Sequence, residues 1–148
     1  MDNHQRDNSR EIEGIIESIS NLKKFQDLDI KLIAHEDGYS SKIGRKLKDM
    51  KTAQLRRFFG AIKSIERKIE EDSSARAWDQ VEAEFYLLKP KIAYAKGRKL
   101  IPNEFYQVLQ VSLNKVDIGS NEEKIANFKW FVKFLESIVA YHKFYGGN

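Results

Sequence analysis

The sequence has 148 residues and a mass of 17.3 kDa, which is the size of one domain. It contains no cysteine, and this excludes disulfide bonds, cysteine-ligated metal sites and thiol nucleophiles. Basic residues outnumber acidic ones by 26 to 22, and no segment has the apolar length of a signal peptide or a transmembrane helix. We therefore expect a cytoplasmic protein that has no contact with a membrane.

The apolar residues follow a helical spacing almost throughout, and only two prolines interrupt the chain. This pattern predicts an all-α fold, a single-domain bundle of about six or seven helices. We predict a frayed polar N-terminus over residues 1–8 and a single helical domain over residues 9–148. Residues 8–11 form a capping box that is predicted to begin the first helix. A short second helix is predicted to stop near Gly38.

Polar residues and prolines predict where the middle helices begin and bend. Ser40 or Ser41 is the predicted cap of the third helix, and Thr52 is the predicted cap of the fourth. Pro90 lies inside the predicted fifth helix, where its missing N–H forces a kink or a break. Pro102 suits the first turn of the sixth helix.

The last predicted helix is long and apolar. A second capping box at residues 120–123 opens it, and Gly146 with Gly147 ends it. Because apolar and aromatic residues occur around most of its circumference, we expect this helix to be central in the bundle or to lie at a subunit interface.

The charges are arranged in blocks of one sign. Residues 42–68 contain ten basic and two acidic residues, and residues 89–99 contain five basic residues and no acidic one. Residues 1–37 and residues 69–88 are acidic by comparison. In a domain with a pI of about 9.2, two acid-poor blocks favour binding to an anionic polymer such as a nucleic acid.

The fourth predicted helix places cations in a row. At 100° per residue, Arg56, Lys63 and Arg67 share one face beside Gly60, and this row is roughly 16 Å long. A long row next to a glycine suits the backbone of a nucleic acid better than a single small anion. Tyr94, which lies between two lysines, is a candidate to stack on a base.

Two alternatives remain open from the residues alone. Residues 43–58 can be read as a DNA-binding helix-turn-helix, in which Thr52, Gln54 and Arg56 would approach the bases. The basic blocks can also belong to a helical adaptor that binds an acidic protein. A strong preference for one DNA operator would support the first alternative, and capture of an acidic subunit without nucleic acid binding would support the second.

No constellation of residues indicates catalysis. The three histidines, His4, His35 and His142, have no metal-ligand spacing, and the carboxylates occur as solvated runs. Phosphate-binding loops and nucleophile motifs are missing from the sequence. We therefore expect a protein that is not an enzyme and has no cofactor and no metal.

Three stretches resemble a known family. Residues 51–59 (KTAQLRRFF), 87–98 (LLKPKIAYAKGR) and 131–143 (FVKFLESIVAYHK) are similar to the small helical subunit of the type III-A CRISPR effector, the Csm complex. The resemblance runs from about Ile30 to the end. It implies a non-catalytic subunit of an antiviral ribonucleoprotein complex that lines the groove holding the guide RNA–target RNA duplex. The implied partners are guide RNA, target RNA, other Csm subunits and further copies of this chain, including a possible homodimer.

The resemblance also implies which side chains contact RNA. The basic residues of its first two motifs become candidates for contact with the backbone: Lys51, Arg56, Arg57, Lys91, Lys96 and Arg98. With the other basic, amide and aromatic candidates of the two blocks, the predicted RNA-binding set is Lys46, Lys51, Gln54, Arg56, Arg57, Lys63, Arg67, Lys91, Tyr94, Lys96, Arg98 and Lys99. We expect binding that is weak for one subunit, salt-sensitive and indifferent to sequence.

Overall fold

The computed structural model describes residues 3–147, with side chains from residue 9 onward. Within these residues the fold is all-α, as predicted, and contains no strand. A single 3-10 turn, Phe25–Asp27, lies between the first two helices. The helices are α1 (Asn3–Ser20), α2 (Ile30–Ala34), α3 (Tyr39–Lys46), α4 (Thr52–Glu70), α5 (Ala77–Tyr86), α6 (Leu88–Gly97), α7 (Asn103–Val116) and α8 (Asn121–Phe144).

The predicted fifth helix is broken, and this accounts for the eighth helix of the described chain. Helix α5 ends at Tyr86 and α6 begins at Leu88, so Pro90 occupies the third position of a new helix. Backbone N–H groups in the first turn of a helix have no partner within the helix, and proline is tolerated there. The break that Pro90 was predicted to cause is confirmed.

Three of the predicted caps were placed wrongly. Helix α1 begins at Asn3, so residues 8–11 lie inside it. Helix α3 begins at Tyr39, and the hydroxyl of the buried Ser40 donates to the carbonyl of Phe134 on α8, 3.4 Å away. Thr52 is the first residue of α4 rather than its cap, and its hydroxyl is buried without a partner. At Ser40, the contact with α8 uses the hydroxyl that a local capping rule assigns to its own helix.

The remaining helix ends follow the sequence more closely. The capping box at residues 120–123 is confirmed, because Ser120 and Glu123 bond reciprocally to each other's backbone N–H. Gly146 has φ +97°, and the Gly147 amide donates to the His142 carbonyl at 2.9 Å, which closes α8 as predicted. The side chains of residues 1–8 lie outside the described part of the chain, so the predicted fraying of this segment stays a prediction.

Helix α8 is central in the bundle. It packs against α3, α4, α5, α7 and the 3-10 turn, and it buries a continuous set of aromatic and aliphatic side chains. Phe25 of the 3-10 turn meets Phe131 edge to face, with ring centroids 5.6 Å apart. Of the two positions expected for this helix, the structure therefore shows the central one.

Helices α3 and α8 approach each other closely at Gly44. Gly44 is buried there, and a Cβ atom at this position would lie 2.7 Å from the backbone nitrogen of His142 and 2.8 Å from the Cβ of Tyr141. The side chain of His142 is itself buried, and its Nε2 lies 2.9 Å from the carbonyl oxygen of Met50. This contact fixes the segment that leads from α3 into α4.

Candidate nucleic-acid interface

The outer face of α4 carries exposed cations. Arg56 and Arg67 are exposed, and Lys51 is exposed immediately before the helix. Eleven residues separate the two arginines, which corresponds to roughly 16 Å along the axis. Among the described side chains, neither arginine has a salt-bridge partner. Gly60 is exposed between them, with no atom within 4 Å of the place where a Cβ would be.

Lys63 does not belong to this exposed row. Its Nζ lies 2.6 Å from a carboxylate oxygen of Glu66 and 3.1 Å from one of Glu136 on α8. These two hydrogen bonds raise the pKa of Lys63 above its usual value. Because two carboxylates already balance its charge, Lys63 ties α4 to α8 and has little remaining attraction for a phosphate.

The C-terminal half of α6 presents cations that are held by aromatic rings. Tyr94 is 63% exposed, and Arg98 donates to its hydroxyl oxygen at 3.2 Å with its guanidinium carbon 5.7 Å from the ring centroid. The ammonium of Lys96 lies 4.5 Å from the centroid of Tyr106 on α7. These contacts restrict flexible side chains and place positive charge at the negative end of the helix dipole.

Lys99 has a backbone conformation that lysine rarely adopts. Its φ is 60°, and it is the one non-glycine residue with positive φ in the described chain. The amide of Leu100 donates to the carbonyl of Ala95, and the amide of Lys99 donates to that of Lys96, both at 2.9 Å. This pair of bonds is the Schellman pattern, in which glycine is the usual residue at the position of Lys99.

We expect that Lys99→Gly raises the free energy of unfolding by about 0.5 to 1 kcal/mol, because glycine adopts this conformation without steric cost. Lys99→Ala is the matched control, since it removes the same charge but keeps the strain. Denaturant unfolding of both variants measures the difference. If Lys99→Gly is no more stable than Lys99→Ala, the backbone at this position is not strained.

The structure brings the two basic blocks together although an acidic stretch separates them in the sequence. Gln54 and Arg57 of α4 and Lys91 and Tyr94 of α6 line the same groove, which has a volume of about 570 Å³. Helix α7 closes the groove with Phe105 and other apolar residues. No carboxylate lines it among the described residues.

Of the remaining predicted residues, Lys46 is half-buried at the end of α3.

The first residues of the acidic stretch lie at the C-terminal end of α4. Glu70 and Asp72 line a second concavity there, together with Glu122 and Lys129 of α8. Lys68, which belongs to the basic block, is paired with Glu84 of α5. The exposed, unpaired arginines of α4 therefore extend from Arg56 to Arg67, and Glu70 and Asp72 lie at the C-terminal end of the helix.

The packing argues against a helix-turn-helix. Helix α3 packs mainly on α8, and α4 packs on α5 and α8, so α3 and α4 do not form a mutually packed pair. Thr52, which would approach the bases, has a buried hydroxyl, and Gln54 lines the groove. Two of the three side chains required for base reading are therefore unavailable on an exposed helix face.

Arg45 belongs to the first basic block but was not among the predicted RNA-binding residues. Arg45 of α3 is exposed and lies over the ring of Tyr145, with its guanidinium carbon 5.1 Å from the centroid. Hydrogen bonds with Ser41 and Arg45 lower the pKa of Tyr145 below its usual value. No local signal connects residues 45 and 145, so only the packing of α3 on α8 shows this contact.

The described residues provide neither a metal-binding cluster nor a membrane-spanning helix. They contain no group of three or more histidine, aspartate or glutamate side chains placed to hold a metal ion. None of their helices is both long and apolar enough to cross a membrane.

Comparison with known proteins gives one family. Neither curated proteins nor solved structures give a significant match. The model of the family described as Csm2 Type III-A matches residues 31–148, which includes all three motifs and every candidate residue on α3, α4 and α6. The chain therefore belongs to the Csm2 Type III-A family and is a subunit of the Csm complex of type III-A CRISPR defence.

Proposed function

We propose that this chain is a non-catalytic, RNA-binding subunit that lines the groove holding the guide RNA–target RNA duplex. In this proposal its exposed cations contact phosphates without regard to sequence. The residues assigned to these contacts are Lys51, Arg56, Arg67, Lys96, Arg98 and Lys99. The proposed partners are guide RNA, target RNA and further copies of this chain, and the proposed location is the cytoplasm.

One observation carries the proposal. Exposed cations from two blocks that are distant in sequence lie on or directly beside α4 and α6, the two helices that border one groove, and no carboxylate lines that groove among the described residues. Mixed surface charges suffice for solubility, so this separation of charge favours an anionic partner at the α4 and α6 end.

The residue types also suit a guided complex. Such a complex accepts any guide sequence, because base pairing reads the target and the protein recognises backbone and A-form shape. The six assigned residues are lysines and arginines, which suit phosphates. Gln54, the amide in the predicted set, lines a largely apolar groove and is poorly placed to read base edges.

The test is RNA binding by the isolated protein as a function of salt. Six phosphate contacts predict a slope of log K against log salt of roughly −4 to −5. Two RNAs of equal length and unrelated sequence should give the same affinity and the same slope. A slope near zero, or affinities that differ more than tenfold between the RNAs, would contradict the proposal. We expect one copy to bind RNA weakly. In the complex, several copies contact the same RNA, and this raises the overall affinity.

A further inference from the structure

The groove between α4, α6 and α7 has a chemistry that phosphate contacts do not explain. Its walls are mainly aliphatic and aromatic, and its polar lining comes from four side chains at Gln54, Arg57, Lys91 and Tyr94. Leu87 and Tyr94, which line it, are two of the few large apolar side chains exposed in the described chain, at 56% and 63%. Exposed apolar side chains grouped at a concave surface indicate a contact site.

Helix α6 is apolar on two sides. Leu88 and Ile92 are buried in the core, whereas Leu87 and Tyr94 line the groove and remain exposed. The apolar face of a helix is expected to be covered by another part of the protein or by a partner. In the isolated subunit the core covers Leu88 and Ile92, whereas no part of the described chain covers Leu87 and Tyr94. These two side chains therefore lack a partner.

We propose that this groove binds an amphipathic helix of another Csm subunit, one whose aliphatic side chains are flanked by aspartate or glutamate. A volume of about 570 Å³ accommodates several apolar side chains from one face of a helix. Arg57 and Lys91 line the groove without any carboxylate among the described lining residues, so acidic flanks complement the charge.

Two other occupants fit less well. A nucleobase would leave most of the polar groups on its edge unpaired against aliphatic walls, which is unfavourable. A second copy of the chain offers two acidic helices, α1 and α5, but the apolar face of each is already used: Trp78, Val81 and Phe85 of α5 are buried in its own core. Ile12, Ile15 and Ile19 of α1 are already buried in its own core.

The proposal is tested in the Csm complex reconstituted from the same genome. The photo-reactive residue p-benzoylphenylalanine replaces Leu87 in one preparation and Ile30, which is 46% exposed outside the groove, in a control preparation. We expect position 87 to crosslink to a peptide of another subunit that has an aliphatic helical pattern and acidic flanks. A crosslink to RNA, a crosslink to a second copy, or no crosslink above the control overturns the proposal.

A neutral substitution separates this proposal from RNA binding. We expect Leu87→Gln to reduce incorporation of the subunit into the complex about tenfold at limiting concentration, and Ile30→Gln to change it less than twofold. Neither variant alters a charge, so RNA binding by the isolated protein should stay within twofold of the wild type. Equal incorporation of both variants overturns the groove proposal and leaves the RNA proposal standing. Thermal melting verifies that both variants are folded.

Discussion

Replacing Arg56 and Arg98 together by glutamate weakens RNA binding by the isolated protein about a hundredfold at low salt, equally for every RNA sequence. Both side chains are exposed, one on α4 and the other at the end of α6. Each reversal removes a phosphate contact and adds repulsion, which costs roughly tenfold per residue. The slope of log K against log salt should become shallower by about two. Fluorescence anisotropy with labelled RNA at several salt concentrations measures both quantities.

The matched control is Arg10→Glu with Lys23→Glu. These exposed residues lie in the acidic N-terminal region, and their reversal changes the total charge by the same amount. Helix α1 packs mainly on α7 and α3 and makes no extensive contact with α4 or α6, and salt screens exposed charges over about 10 Å, so we expect a loss below threefold. If both double variants weaken binding equally, net charge and not the surface of α4 and α6 determines affinity.

Gly44→Ala lowers the free energy of unfolding by about 3 kcal/mol, which is a large effect for a single methyl group. The added Cβ would lie under 3 Å from backbone atoms of His142 and Tyr141, so α3 and α8 must separate to make room. The pair forms one of the most extensive helix contacts in the bundle, and a shift spreads to the Met50 carbonyl that contacts His142. Thermal unfolding should show a melting temperature roughly 6 to 12 °C lower.

Gly60→Ala is the matched control for that variant. Gly60 also lies inside a helix, but nothing stands within 4 Å of its Cβ position. Alanine is the better helix former by about 1 kcal/mol, and we expect a gain of that size. A melting temperature of Gly44→Ala at or above that of the wild type would show that the two helices do not cross as closely as described.

The helices could be predicted from the sequence because their apolar spacing is regular. Leu55, Ile62, Ile65 and Ile69 repeat with the period of α4 and are all buried, as their spacing indicates. The break near Pro90 follows from the missing N–H of proline. Helix starts were less predictable, because Ser40 uses its hydroxyl on α8 rather than on its own helix.

The candidate site was predictable in composition but not in arrangement. The density of lysine and arginine in two blocks is a property of the sequence, whereas their position beside one groove depends on how α6 packs on α5 and α7 and faces α4 across the groove. Lys63 shows that a helical wheel alone does not predict which cations are free to bind a ligand. Its spacing places it with Arg56 and Arg67, but Glu136, 73 residues further along the chain, pairs with it.

The sequence contained an indication of the groove that the analysis of apolar spacing overlooked. Leu87, immediately before α6, and Tyr94 are apolar side chains that remain exposed although Leu88 and Ile92 are buried, and exposed apolar residues beside a buried apolar face indicate a second contact. The positive φ of Lys99 could not be predicted from the sequence, because it depends on the hydrogen bonds that close the end of α6.

Crosslinking of RNA to protein in the assembled Csm complex tests the central claim most directly. Ultraviolet irradiation followed by mass spectrometry identifies the peptides of this chain that carry a nucleotide. Our account predicts adducts within residues 51–67 and 91–99, and the same positions for guides of different sequence. Adducts confined to the acidic residues 9–37, with both basic segments unmodified, would contradict it.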